Sequence, residues 1–107
     1  MNWTRLAQLR AEVGDEALSE VLGLFLAETD AVAERLRSAG ASDGLSDDVH
    51  FMKGAALNVG FDEVAAQCDH AEAAAEAGPV DPEPILHTYR AARDMLVSEA
   101  PRFGIRL

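Results

Sequence analysis

Cysteine is nearly missing from this chain: Cys68 stands alone among 107 residues, so no internal disulfide can staple the fold. A reducing compartment suits such a chain, and a lone thiol in the apolar register of its helix reads as a small buried hydrophobe. Aromatic residues are also few, at 6%, and runs of β-branched residues are absent, which argues against a sheet protein. Basic residues are outnumbered two to one: nine Lys and Arg against nineteen Asp and Glu leave a formal charge of −10. A chain so poor in positive charge has no footprint for nucleic acid or for an anionic membrane surface. The longest apolar run, Val21 to Ala27, falls far short of the ~18 residues needed to cross a bilayer. Met1 to Arg5 carries no apolar core of a signal peptide. A cytoplasmic protein that binds neither membrane nor nucleic acid is expected.

What the chain does hold is alanine, leucine and acid. Hydrophobic residues make up 49%, enough for a core, and the length suits one domain rather than two. The expectation is a single all-α domain over 1–107: an up-down antiparallel four-helix bundle with its core at about 15–98, capped by a short N-terminal helix at about 3–13. Trp3, Leu6, Leu9 and Val13 give that first helix its apolar spacing. A second helix, from about 16 to 39, lines up Leu18, Leu22, Phe25, Thr29, Val32 and Leu36, with Asp15 as its expected N-cap. Val21, Leu24 and Leu26 widen the first half of its stripe. Gly40 ends it, and Ser42 or Asp43 is expected to cap the next helix, which runs to about Val59 with Gly60 as its stop.

A fourth helix, capped by Asp62, places Val64, Ala65, Cys68, Ala71, Glu72 and Ala75 on one face. A fifth opens with Pro82 near its first turn, turns Ile85, Tyr89, Ala92 and Leu96 inward, and is ended near residue 99 by Pro101. The tail at 100–107 has no pattern. One bundle with a polar exterior has no need to dimerise, so a monomer is expected.

The third helix holds the chemistry. Leu45, Val49, Met52, Ala56 and Val59 fall within a band about 80° wide, an apolar stripe for a core. His50 lies roughly 140° from the centre of that stripe, with Lys53, Gly54 and Leu57 near it on the outer side. A mid-helix glycine costs about 1 kcal/mol relative to alanine, so Gly54 is better explained by clearance beside the imidazole than by helix stability. The pattern His-x-x-Lys-Gly followed six residues later by Gly (His50, Lys53, Gly54, Gly60) resembles the signature of histidine-containing phosphotransfer (HPt) domains. The likeness runs over about 15 to 98. Ala55 and Ala56 stand where that family often carries small hydroxyl residues.

That resemblance implies a phosphocarrier of two-component phosphorelays, not an enzyme in its own right. His50 would take a phosphoryl group from the aspartate of one receiver domain and pass it to another, with Lys53 hydrogen-bonding the transferred oxygens. Asp47 or Ser46 is the expected acceptor for the inner ring nitrogen. Leu57, Asp47 and Phe61 are expected on a docking surface for response-regulator receivers or a hybrid histidine kinase. No Gly-x-x-x-x-Gly-Lys loop is present, so no nucleotide site is expected, no cofactor in this chain, and Mg²⁺ only in the partner receiver. Two other readings stand beside it: a helical interaction module that is never phosphorylated, and the phosphotransfer domain of a chemotaxis-type histidine kinase. Cys68, His70 and Glu72 cannot converge on a metal from one helix, because i and i+2 point about 200° apart.

Overall fold

The computed structural model describes residues 1–107. Five helices follow in order: α1 Trp3–Val13, α2 Asp15–Ala39, α3 Ser46–Val59, α4 Asp62–Ala75 and α5 Glu83–Glu99, the last running into a 3-10 turn at Ala100–Phe103. No strand forms. A lone antiparallel bridge between Ser42 and Val80 ties the α2–α3 connection to the α4–α5 connection. Helices α2 and α4 each pack on both α3 and α5, so the four longer helices close a ring around one core, while α1 lies against α2 and α3.

The periodic residues supply that core. Leu18, Leu22, Phe25, Thr29, Val32 and Leu36 of α2 are all buried, as are Leu45, Val49, Met52, Ala56 and Val59 along α3. Small residues on α4 (Ala65, Cys68, Ala71) let its backbone approach α3 closely. The broad first half of α2 divides: Leu26 goes inward, Val21 is half-buried and Leu24 stays in water. Thr29 is the one buried polar side chain, and its hydroxyl is satisfied, 2.7 Å from the Phe25 carbonyl and 2.7 Å from the Tyr89 hydroxyl. Tyr89 in turn donates to Asp30, whose carboxylate also takes the Arg93 fork at 2.8 and 2.9 Å, clasping α2 to α5. The hydrogen bonds from Arg93 hold the Asp30 carboxyl below its usual range, whereas burial, then the bond to Asp30, pushes the Tyr89 phenol up.

Several expected helix ends fall elsewhere. Gly14, Leu45 and Phe61 occupy the N-cap positions of α2, α3 and α4, and none of these helices has a side-chain cap. The acids expected to cap are otherwise engaged or misplaced: Asp15 pairs with Arg10 at 2.6 Å and Asp62 accepts from Asn2 at 2.9 Å, both now inside the first turn, where their charge still opposes the helix dipole. Ser42 spends its backbone on the bridge to Val80, and Asp43 lies in the loop ahead of Leu45. Pro82, expected near the first turn of α5, sits at its N-cap, and Pro84 lies inside that turn. α5 does end at Glu99, as expected ahead of Pro101, but Pro101 does not stop the chain turning. It sits in the 3-10 turn, and Gly104 in the left-handed region ends the run. On α4, Glu72 is only part-buried and Ala75 is exposed, so the inward face is narrower than expected.

The patternless tail is held. Ile105 is buried, Phe103 stacks on Trp3 with ring centroids 5.3 Å apart, and the Arg106 N–H donates to the Ser19 hydroxyl at 3.2 Å. The start of α1 is tied to the end of α3: the Asn2 N–H donates to the Gly60 carbonyl at 2.6 Å, and Arg5 reaches the Asn58 carbonyl at 2.9 Å. Gly60 ends α3 with φ of +91°, and a Cβ there would stand 2.5 Å from the Asn2 carbonyl oxygen. It is therefore a docking point for α1 as well as a helix stop.

Gly60→Ala combines left-handed backbone strain of about 1–2 kcal/mol with that clash, so urea denaturation should show a loss of about 2 kcal/mol or more. A variant as stable as the wild type would mean that α1 does not rest on this residue.

Candidate functional site

The buried stripe of α3 sets which way its outer residues face. With Val49 and Met52 in the core, His50 turns into solvent, its side chain 81% exposed. Its Nδ1 lies 3.4 Å from Oε1 of Glu72 on α4, a long hydrogen bond. An ionised carboxylate only accepts, so Nδ1 carries the hydrogen when that contact is made, and the lone pair is left on Nε2, the outer nitrogen. The expected acceptors, Asp47 and Ser46, do not reach the ring. Both are exposed, and the partner comes from the neighbouring helix.

Lys53 stands one helical turn from His50, yet its ammonium rests against α4. Nζ lies 2.5 Å from Asp69 Oδ1 and 3.6 Å from Glu72 Oε2, and the side chain is only 27% exposed. The hydrogen bond that Lys53 donates to Asp69 raises the Lys53 pKa above its ordinary value, with the Asp69 and Glu72 charges adding to it, so the group stays cationic. Glu72 thus holds His50 with one oxygen and faces Lys53 with the other.

Gly54 is exposed, and a Cβ built on it would meet no atom within 4 Å. It borders a groove between α2 and α3 that also takes in Leu24, His50, Phe51 and Asn58. A second groove on the other side of His50 runs between α3 and α4, past Asp47, Phe51, Glu72 and Val80. Leu57 is half-exposed on the outer surface. Phe61, expected on the docking surface, is in the core instead: it is 1% exposed, meeting Phe25 edge-on at 5.2 Å and Tyr89 at 6.3 Å. Its place directly after the Gly60 stop turns it inward across the end of α3.

Reading the sequence alone misses four residues of this face. Phe51 and Leu24 are large, apolar and exposed on the walls of the α2–α3 groove. Phe51 could have been found, since it follows His50 and lies off the core stripe. Glu72 and Asp69 carry no local signal, because their relevance depends on the register of α4 against α3. Elsewhere, His70 and His87 are exposed, and Cys68 is fully buried with its thiol pushed up to about 12, chiefly by burial. No three His, Cys, Asp or Glu side chains are grouped to hold a metal ion. No helix is long and apolar enough to cross a membrane.

Residues 20–99 match a family model described as "Hpt domain". Comparison with curated proteins gave no match, and comparison with solved structures gave none.

Because position 54 has open space and helical backbone, Gly54→Ala should raise stability by up to about 1 kcal/mol in urea denaturation. A loss of stability would show that the glycine serves the fold and not clearance beside His50.

Proposed function

Because this chain belongs to the Hpt domain family, we propose that His50 is its phosphorylated residue and that it relays a phosphoryl group between receiver-domain aspartates. The family match gives it a phosphotransfer role in two-component signalling, and Hpt domains are phosphocarrier modules rather than enzymes with a nucleotide site of their own. The observation that carries the finer reading is the exposed imidazole whose inner nitrogen faces a carboxylate.

In the transfer, the Nε2 lone pair attacks phosphorus. The Nε2–P bond forms as the aspartyl O–P bond breaks, and the receiver carboxylate leaves with the electron pair. The Nδ1 proton stays on the ring and donates to Glu72, so the loaded ring is a phosphoimidazolium. That proton makes the ring a good leaving group for the next transfer, because a neutral imidazole departs. Lys53 hydrogen-bonds the phosphoryl oxygens and offsets their charge. Any Mg²⁺ belongs to the receiver.

Receiver domains and a hybrid kinase are the proposed partners, docking over Gly54, Leu57 and the exposed Phe51 and Leu24, with Asp47 at the edge. The same reading takes the four longer helices as an up-down antiparallel bundle with α1 laid across it. Support comes from the closed ring of contacts and from the bridge joining the α2–α3 and α4–α5 connections. A cytoplasmic setting suits these partners.

Incubation with a phosphorylated receiver should place an acid-labile, base-stable phosphate on the wild type, and His50→Gln should abolish it. A label that survives in His50→Gln would sink the assignment. Gly54→Leu should slow labelling by the receiver at least severalfold while leaving labelling by the small donor phosphoramidate unchanged. Equal slowing with both donors would assign the effect to the chemistry and remove Gly54 from docking.

A further inference from the structure

Three polar contacts join α3 to α4, one hydrogen bond from His50 and two ion pairs of Lys53. They form one chain: His50 to Glu72, Glu72 to Lys53, Lys53 to Asp69. Resting on the reading of His50 as the phosphorylated residue, we propose that Asp69 is a positioning residue that parks the Lys53 ammonium on α4 while His50 is bare. Asp69 gives the ammonium up to the phosphoryl group once His50 is loaded.

The geometry makes Asp69 the contact that exchanges. His50 and Lys53 stand three residues apart on the same outer face of α3, so the flexible lysine stem can swing between α4 and the imidazole. Glu72 is committed to His50 through Nδ1, and loading the ring leaves that proton and that bond in place. Asp69 touches no part of His50 and holds Lys53 at 2.5 Å with a side chain that is more than half exposed. A pair this open to water is weak, and salt screens it further. A phosphoryl group brings close to two charges and three strong acceptors, so it out-competes a single carboxylate for the ammonium. The bare protein thus keeps Lys53 ordered near the site without leaving it beside an empty ring. Loading exchanges one α3–α4 link for a contact to the group being carried.

Phosphoramidate tests this without a partner protein: its N–P bond breaks, ammonia leaves, and the Nε2–P bond forms. Initial labelling rates are compared for the wild type, Asp69→Asn, Lys53→Met and the double variant, with helix content checked by circular dichroism. Asp69→Asn frees the ammonium and should label severalfold faster than the wild type, and Lys53→Met should label severalfold slower. The double variant should match Lys53→Met alone. If Asp69→Asn is no faster than the wild type, the parking role is overturned. If it accelerates labelling by the same factor in the Lys53→Met background, Asp69 acts on the phosphoryl group directly and the role is likewise overturned. A His50→Gln control that still labels would instead overturn the phosphorylation reading itself.

Discussion

Burial of one face of α3 holds this molecule's surface chemistry in place. Val49, Met52, Ala56 and Val59 are each at most 2% exposed, and their contacts with α2 and α4 set the rotation of the helix about its axis. Turning α3 far enough to bury His50 would bring several of those side chains into water, at about 1.5–3 kcal/mol for each large one. It would also take an imidazole out of water with no prepared partner. The imidazole therefore faces solvent because its neighbours on the helix cannot. The two ends of α3 reinforce the setting: Arg35 of α2 forks onto Asp48 at its start, and Asn2 and Arg5 of α1 hold its last turn. On the opposite side of the ring, the Asp30 clasp ties α2 to α5.

Around that rigid support the charges are arranged in tension. A chain of formal charge −10 is a poor host for an added phosphoryl group, and two carboxylates, Asp69 and Glu72, already lie close by. Lys53 is the cation this cluster contains. A carrier has to release what it accepts, and a site that held a phosphoryl group among several fixed cations would make a poor donor. In the proposed relay, one mobile ammonium shared with carboxylates would offset charge during transfer without trapping the product. On the proposed reading Glu72 has the complementary task, since the proton it holds on Nδ1 would keep a loaded ring ready to leave.

The apolar walls beside His50 complete the face. Phe51 and Leu24 are too large to be left in water without consequence, and they flank the strip where Gly54 leaves room. An approaching domain could bury them and reach the imidazole together. Phe61 shows how a neighbour in sequence can be lost to such a surface: one residue past the Gly60 stop, the chain turns and drives that ring among Phe25 and Tyr89.

Periodicity alone determined the helices, most of their inward faces and the outward direction of His50 and Gly54, because those depend on a local 3.6-residue repeat and on burial of one stripe. The motif that marks the family lies within a few turns of one helix, so it too was legible in the chain. Helix starts were read less well. Asp15 and Asp62 are sound capping residues in isolation, but Arg10 and Asn2 draw their carboxylates away. The partners of the site were beyond local reading. That Glu72 would meet Nδ1 and Asp69 would hold Lys53 depends on how α4 slides and rotates against α3, a register set by close packing of Ala65, Cys68 and Ala71. Only the folded chain decides which side chains separated by about twenty positions come within hydrogen-bonding distance, since that is a property of packed surfaces and not of any one helix.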